Sequence, residues 1–196
     1  MKGKMEDDGK RRCAWIRDPL MKNYHDSEWG VPVHDDRKQF EFLVLESAQA
    51  GLSWSCVLNK RENYRKAFAG FDYKKVAKFG TSHVQKLMAN AGIIRNKMKI
   101  EAAINNAHRF MEVQKEFGSF SNYIWGFTGG KQRLNRWKTL KDLPAKTAES
   151  DALSKDLKKR GFKFLGSTVV YSHLQALGLV NDHTVDCFRK QRCSSC

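Results

Sequence analysis

Apolar residues recur at intervals of three and four along much of the chain, which is the spacing of amphipathic helices. The longest stretch of this pattern runs through the middle of the chain and contains Ile100, Ala103, Ile104, Ala107 and Met111. Alternation of apolar and polar residues with period two, the pattern of a half-buried strand, is absent. The sequence therefore predicts an all-α protein with almost no sheet.

Capping residues and glycines predict where the individual helices begin and end. The expected helices run from Asp35 or Asp36 to Ala50, from Ser53 to near Gly70, from Thr81 or Ser82 to a break at Ala91-Gly92, beyond that break through Met111, from Ser150 to Arg160, and from Ser167 to Leu177. Residues 118–150 are rich in glycine, asparagine and aromatic residues, and they are predicted to be irregular.

The net charge of the chain indicates what class of molecule it binds. Its 196 residues include 36 Lys and Arg against 21 Asp and Glu, a formal net charge of +15. Hydrophobic and aromatic fractions of 41% and 11% exclude a disordered basic tail. No apolar run approaches the roughly 20 residues that cross a bilayer, and residues 1–12 lack the apolar core of a secretory signal. We therefore predict a folded cytoplasmic protein that binds nucleic acid, with an acidic protein or a membrane surface as second choice.

Cysteine and histidine residues near the two ends of the sequence suggest a metal site. Five cysteines without an export signal favour free thiols or metal ligands over a disulfide scaffold. His183 and Cys187 have the i, i+4 spacing that places two ligands on one face of a helix, and Cys13 and His25 lie near the other end. Two thiolates and two imidazoles complete a closed tetrahedral zinc shell, which would be structural. A buried cysteine and a capping histidine are the alternative.

The segment from Leu87 to Lys97 joins two predicted helices through a turn of about four residues. Such a turn points its backbone N–H groups, and the N-terminus of the following helix, towards one place where a phosphate can bind. Arg95 and Lys97 add positive charge beside Gly92, so these three residues form a candidate DNA contact. An ordinary helical hairpin with a glycine stop is the alternative.

Glu46 is the candidate for a functional carboxylate. It lies on the apolar face of a predicted helix, one turn from Phe42 and Leu43. A charged carboxylate on an apolar face lowers the stability of the fold by on the order of several kcal/mol. Such a residue is therefore expected to have a partner for its charge or a function. A structural glutamate bonded to backbone or arginine is the alternative. Trp54 at the start of the next helix, and Tyr24 beside His25, are aromatic residues of either a core or a cleft.

Five segments carry motifs in a recognisable order: Tyr24-His25-Asp26-Ser27-Glu28-Trp29-Gly30-Val31-Pro32, Leu45-Glu46 to Ala50-Gly51-Leu52-Ser53-Trp54, Ala91-Gly92-Ile93-Ile94-Arg95, Ser150-Asp151-Ala152-Leu153-Ser154 to Lys159-Arg160-Gly161-Phe162-Lys163-Phe164, and Gly178-Leu179-Val180-Asn181-Asp182-His183. Together they resemble the bacterial DNA-3-methyladenine glycosylase I family. The resemblance covers nearly the whole chain from Cys13 to Cys187.

The resemblance implies a helix-hairpin-helix glycosylase fold with a zinc-containing lobe built from both chain ends. It also implies a monofunctional glycosylase that hydrolyses the N-glycosidic bond of 3-methyladenine in alkylated DNA and leaves an abasic site. The family's base pocket corresponds to Tyr24, Glu46 and Trp54, with Glu46 as the catalytic residue. Its zinc ligands correspond to Cys13, His25, His183 and Cys187. The family can have a second tyrosine in this pocket, and the corresponding residue of this chain is Met21.

These expectations define the predicted organisation of the chain. Residues 1–12 and 188–196 are expected to be flexible tails, the second with Cys193 and Cys196 exposed and outside the metal site. Residues 13–187 form one catalytic unit, with a helical lobe at 31–160 and a zinc lobe at 13–30 and 161–187. The expected partner is double-stranded DNA with alkylated adenine, bound by a monomer near the bacterial nucleoid. A non-catalytic zinc-containing DNA-binding module and a glycosylase for another alkylated base are the alternatives.

Overall fold

The computed structural model describes residues 8–192, with side chains through residue 190, so Cys193 and Cys196 lie outside it. The helices in this range are α1 (Pro19–Ser27), α2 (Asp36–Gln49), α3 (Trp54–Ala67), α4 (Tyr73–Val76), α5 (Thr81–Ala89), α6 (Lys97–Phe117), α7 (Phe120–Gly126), α8 (Ala148–Lys159), α9 (Ser167–Ala176) and α10 (Arg189–Arg192). Two short strands, β1 (Arg133–Leu134) and β2 (Val180–Asn181), pair in parallel. The described chain is therefore mostly helical, as the hydrophobic pattern predicts.

Several predicted helix ends are confirmed by their capping bonds. Asp35 caps α2, where its carboxylate accepts a hydrogen bond from the N–H of Lys38 at 2.7 Å. Ser53 caps α3 by accepting from the N–H of Cys56 at 3.2 Å. Each cap satisfies a backbone donor that has no partner inside the helix, which is why these residue types mark helix starts.

Two predicted caps are wrong. Thr147 caps α8, and Ser150 lies inside that helix, where its buried hydroxyl donates back to the Thr147 carbonyl at 2.9 Å. α9 begins one residue earlier than expected, because Gly166 is its N-cap and Ser167 is its first helical residue. Serine is common at the N-cap but also occurs in the first turn of a helix. Residue type alone therefore did not distinguish Ser150 and Ser167 from the true caps that precede them.

The spacing of apolar residues did not predict the short helices α1 and α7. α1 has a clear start signal, because Asp18 accepts from the N–H of Met21 and Pro19 occupies the first helical position. α7 lies in the segment that was predicted to be irregular. Its first N–H group, on Phe120, donates to Asp36 of α2 at 2.9 Å, a contact between residues far apart in the sequence.

α2 is the central helix of the fold. It contacts α3, α6, α7 and α9, and residues 39–48 are all buried. A helix that is buried on every side suits the middle of a core and not its surface. Two of its buried residues are nevertheless carboxylates, Glu41 and Glu46, and their different surroundings define the functional site.

α6 is the long amphipathic helix that the sequence predicts. Ile100, Ala103, Ala107 and Phe110 are buried along one face, and Lys97 at its start is exposed. Among residues 8–192, no helix combines the length and the apolar character that a membrane crossing requires. The hydrophobic face of α6 therefore belongs to the core.

The segment that follows α1 packs closely against the end of α9. The N–H of Gly30 donates to the carbonyl of Gln175 at 3.0 Å, and that of Val33 donates to Leu177 at 3.1 Å. Gly178 has a φ of +68°, and a Cβ there would lie 2.3 Å from the Val31 carbonyl carbon. Both the positive φ and the close approach to Val31 require glycine at this position. The contact brings residues on α1 close to residues on α9.

Candidate active site and metal centre

A cavity of about 280 Å³ opens between α1, α2, α3, α9 and the segment before α8. Its walls are formed by Trp15, Met21, Tyr24, Trp29, Glu46, Gln49, Trp54, Leu140, Leu143, Ser172 and Gln175. The volume is near the lower limit of about 300 Å³ for ligand pockets, which suits a small molecule such as one nucleobase. The structure therefore brings the three predicted pocket residues, Tyr24, Glu46 and Trp54, into one cavity.

Aromatic rings form one side of this cavity. The ring centroids of Tyr24 and Trp54 lie 5.3 Å apart with their planes at 55°, and Phe42 lies 6.1 Å from Tyr24. The indole nitrogens of Trp54 and Trp15 are buried and have no hydrogen-bond partner among the residues that the structure describes. Aromatic faces attract cations, and unpaired N–H groups can donate to a bound acceptor. The wall therefore suits a flat, positively charged ligand with acceptor atoms.

Glu46 and Glu41 lie on the same helix, are 4% and 3% exposed, and have opposite surroundings. Glu41 accepts from Arg61 at 2.8 Å and from Arg65 at 3.0 Å. Burial raises the pKa of Glu46 from the usual 4.5 to about 8, and no hydrogen bond or positive charge from residues 8–190 opposes this rise. A buried carboxylate without a counterion is expensive to keep, so Glu46 marks a place where a cation can bind.

The four predicted metal ligands meet in one buried cluster. One donor atom from each of Cys13, His25, His183 and Cys187 lies within 4.8 Å of all the others. The Cys187 sulfur lies 3.4 Å from His25 Nε2 and 3.4 Å from His183 Nδ1. A tetrahedral ion with bonds of about 2.0–2.3 Å requires separations of roughly 3.3–3.8 Å between its ligands. The four side chains therefore fit a metal ion.

Hydrogen bonds to the outer ring nitrogens also favour a metal ion. His25 Nδ1 lies 2.7 Å from an oxygen of Asp26, and His183 Nε2 lies 3.1 Å from the Trp29 carbonyl. Both partners are acceptors, so these nitrogens carry the ring hydrogens, as in metal sites whose histidines are oriented by outer acceptors. The inner nitrogens, 3.2 Å apart, then face each other as two lone pairs. Burial lowers the pKa of His183, which keeps its imidazole neutral. A cation between the rings relieves this opposition.

The local structure around two ligands differs from the prediction. His183 and Cys187 lie in a turn between β2 and α10 and not on a helix. The N–H of Cys187 donates to the Thr184 carbonyl at 2.9 Å, which closes this turn. The turn, and not a helix, brings these two residues together, so the i, i+4 spacing identified a neighbouring pair for an incorrect structural reason.

The metal cluster and the cavity share a wall. Trp29 lines the cavity, and its ring centroid lies 4.6 Å from that of His183. Trp15 also lines the cavity and lies 5.3 Å from the ring of His25. The two histidines of the cluster therefore contact two tryptophans that shape the cavity.

The hairpin between α5 and α6 differs from its prediction in two respects. Residues 90–96 connect the helices, so the connection is longer than expected. The N–H of Gly92 donates to the Asn90 side chain at 2.8 Å, and that of Ile94 contacts the Tyr64 hydroxyl, so these donors are not directed outward. A Cβ on Gly92 would lie 3.0 Å from Asn63, which gives the glycine a packing role. The exposed side chains that remain for a DNA contact are those of Arg95 and Lys97.

Leu52 is a functional candidate that the sequence reasoning missed. It is 42% exposed and lines a second space of about 170 Å³, which shares Glu46 and Gln49 with the main cavity. Gly51, with a φ of +79°, makes the turn that presents Leu52. The available sequence signal was a leucine directly after Gly51, the glycine that ends the predicted helix, where a turn exposes side chains.

Comparisons with known proteins agree with this geometry. A model of the methyladenine glycosylase family matches residues 15–190. The chain is 50% identical over 177 residues to DNA-3-methyladenine glycosylase 1 of Escherichia coli (strain K12), covering 90% of this chain and 95% of that protein. It is 46% identical over 177 residues to DNA-3-methyladenine glycosylase of Haemophilus influenzae (strain ATCC 51907 / DSM 11121 / KW20 / Rd), with coverage of 90% and 96%. A structure of 3-methyladenine DNA glycosylase I from Staphylococcus aureus, solved to explain 3-methyladenine recognition, matches with a TM-score of 0.89 at 39% identity, covering 91% of this chain and 96% of that chain.

Proposed function

The chain belongs to the methyladenine glycosylase family, and from this premise we propose that its cavity receives 3-methyladenine from alkylated DNA. The protein is an enzyme of DNA base-excision repair. It hydrolyses the N-glycosidic bond, releases the free base and leaves an abasic site. The observation that carries this proposal is Glu46, a buried acid that has no ion pair with any residue of the described chain, beside the rings of Tyr24 and Trp54.

Positive charge on the base explains how this cavity promotes the reaction. Methylation at N3 makes adenine cationic, so the glycosidic bond is weakened and the base leaves as a neutral molecule. The aromatic faces of Tyr24 and Trp54 attract the cation, with a contribution of about 0.5–2 kcal/mol. Glu46 accepts hydrogen bonds from the adenine edge and balances its charge, which favours the ionised carboxylate. Water then attacks a sugar with oxocarbenium character.

The same interactions exclude normal adenine. A neutral base gains nothing from a negative charge on Glu46, and it supplies no positive charge to offset the cost of removing the proton from this buried carboxyl. Normal adenine also keeps a strong glycosidic bond, so it requires a general acid. Selection in this cavity therefore depends on charge, with the shape of a small pocket as a second requirement.

Leu52 is suited to hold the DNA open while the base is in the cavity. A base must leave the helical stack to reach an enzyme pocket, at a cost of a few kcal/mol, and apolar side chains commonly fill such gaps. Lys99 supports the Leu52 turn, because its ammonium donates to the carbonyls of Ala48 at 2.9 Å and Ala50 at 2.6 Å. Leu52, the residue proposed to fill the gap in the DNA, and Glu46 are therefore both positioned by the C-terminal end of α2.

Zinc is the ion that best suits the four-residue cluster. Two cysteines and two histidines are a common structural zinc set, and with Cys13, His25, His183 and Cys187 no coordination position remains for a substrate. The ion supplies cross-linking and no chemical step. Its ligands would join the segment before α1, α1 itself and the segment after β2, beside the tryptophans of the cavity wall.

Charge removal at the hairpin is expected to weaken DNA binding without changing base selection. In the double variant Arg95→Gln/Lys97→Gln, we expect the slope of log affinity against log salt to become shallower by about 1–2, since each phosphate contact contributes roughly 0.9. Salt titrations with methylated and unmethylated duplexes measure this slope. An unchanged slope would place the DNA elsewhere on the surface.

Release of free bases from methylated duplex DNA tests the proposed function directly. We expect the protein to release 3-methyladenine in excess over 7-methylguanine. Release of neither base would favour the non-catalytic DNA-binding module. Preferential release of 7-methylguanine would favour a glycosylase for another base, and Met21, which lines the cavity where the family can have tyrosine, is the residue to exchange first.

A further inference from the structure

The segment between α7 and α8 carries a dense group of positive charges beside the cavity. We call residues 128–147 the basic loop. Its positive residues are Lys131, Arg133, Arg136, Lys138, Lys141 and Lys146, against a single acidic residue, Asp142. All six positive side chains are exposed. Arg133 pairs with Glu149 and Lys146 with Asp151, whereas Lys131, Arg136 and Lys141 make no ion pair with any residue in the described range.

Although it has little secondary structure, the first half of the basic loop is firmly held. Asp182 accepts from the side chains of Asn135 at 2.7 Å and Trp137 at 2.8 Å. The other oxygen of Asp182 accepts from Tyr171 and from Gln175 of α9. Backbone pairing of β1 with β2 adds to this attachment. Asp182 therefore fixes the loop to α9, at the residue that precedes the metal-cluster residue His183.

The second half of the basic loop forms part of the cavity wall. Leu140 and Leu143 line the cavity, and Leu140 is 42% exposed at its edge. The carboxylate of Asp142 accepts from the N–H of Thr139 at 2.7 Å, which holds this turn in place. Lys141 follows Leu140 directly in the sequence, so an exposed cation stands beside the residue that borders the opening.

On the premise that the cavity receives a base flipped from duplex DNA, the function proposed above, we propose that the basic loop binds DNA phosphates next to the lesion. A nucleotide whose base lies against Leu140 and Leu143 has its own backbone near this loop. Lys131, Arg136 and Lys141 are exposed and lack acidic partners, so they can neutralise phosphates without breaking an ion pair of the protein. The loop and the hairpin residues Arg95 and Lys97 are then two separate backbone contacts.

Removal of the three unpaired charges tests this surface. For Lys131→Gln/Arg136→Gln/Lys141→Gln, we expect the salt slope for duplex binding to become shallower by about 2–3, and the affinity at low salt to fall at least about tenfold. Binding of free 3-methyladenine, followed by NMR, is expected to stay unchanged because none of the three residues lines the cavity. An unchanged salt slope, or loss of free-base binding, would overturn the proposal.

A matched control separates a local contact from a general effect of charge. Lys74→Gln/Lys75→Gln/Lys78→Gln removes the same formal charge from exposed residues of α4 and the segment after it, which do not line the cavity. We expect this variant to keep the wild-type slope, and an equal change in both variants would overturn the proposal. If the wild-type protein releases no base from methylated DNA, the proposed function fails. The salt slopes on unmethylated duplex still report separately on the loop.

Discussion

Cys187→Ser is expected to lose its bound zinc and to unfold at a temperature at least about 10 °C lower than the wild type. A serine hydroxyl is a poor zinc ligand, and without the ion the inner nitrogens of His25 and His183 face each other at 3.2 Å in a buried site. Elemental analysis of the purified protein and thermal unfolding followed by circular dichroism measure the two effects. Because Trp29 lies between the cluster and the cavity, excision should fall together with the zinc content.

Cys56→Ser is the matched control for this variant. Cys56 is a free, half-buried cysteine of α3 that does not belong to the cluster. The control should therefore keep its zinc and its unfolding temperature. Full zinc occupancy in Cys187→Ser would remove Cys187 from the ligand set, and equal losses in both variants would show a general sensitivity to cysteine replacement.

Glu46→Gln is expected to lower excision of 3-methyladenine by about 10- to 100-fold, because a hydrogen bond to a charged partner contributes roughly 1.5–3 kcal/mol. The substitution keeps the side-chain volume but removes the negative charge and turns an NH₂ group towards the base. Single-turnover release of 3-methyladenine measures the rate, and NMR titration with the free base measures binding. Trp54→Ala should lose a similar amount through stacking. Wild-type values for Glu46→Gln in both assays would make Glu46 a structural residue.

The same substitution should stabilise the protein at alkaline pH. In the folded protein, the Glu46 carboxyl keeps its proton up to a pKa of about 8, whereas its usual pKa is 4.5. Its contribution to stability is therefore complete below the usual pKa and is lost as the pH rises through the folded value. Glutamine has no such loss, so Glu46→Gln should gain roughly 3–5 kcal/mol at about pH 9 and almost nothing at about pH 4.

Glu41→Gln is the control for both effects, because Glu41 lies on the same helix at the same depth. Its carboxylate is paired with Lys38, Arg61 and Arg65, so the substitution removes three ion pairs at a buried position and should destabilise the protein at neutral pH. Opposite changes in stability for the two glutamines would distinguish the binding carboxylate from the structural one. Destabilisation by Glu46→Gln at alkaline pH would show that an undetected partner holds Glu46.

The predictions from the sequence succeeded where local chemistry decides the structure. The capping side chains of Asp35 and Ser53 act on neighbouring N–H groups, so the starts of α2 and α3 follow from the sequence. The placement of Glu46 on a buried helix also follows, because its apolar neighbours are within one turn. The four candidate metal ligands likewise meet in one cluster, although resemblance and residue type, and not geometry, selected them.

Most of the failures concern contacts between distant parts of the chain, whereas the wrong caps of α8 and α9 and the bond from Gly92 to Asn90 are local. The basic loop has no period that predicts its structure, because its order depends on Asp182, which is 45 residues beyond Trp137. The donors of the hairpin turn were expected to face outward, but Asn90 and Tyr64 accept from them. Side chains that satisfy a loop from elsewhere in the fold cannot be identified from periodicity, which is why the irregular segments held most of the errors.

The order in which the proposed metal ligands occur along the chain has a consequence for biosynthesis. His25 and His183 are 158 positions apart, and at about 5–20 residues per second a ribosome needs roughly 8–30 s to travel between them. Throughout that interval the nascent chain has only Cys13 and His25, half of the ligand set. Trp15 and Trp29 are therefore made early but remain unsupported until the last ligands emerge. A polypeptide that stalls before His183 lacks two of the four side chains that we propose bind zinc, so the set is complete only after Cys187 has been made.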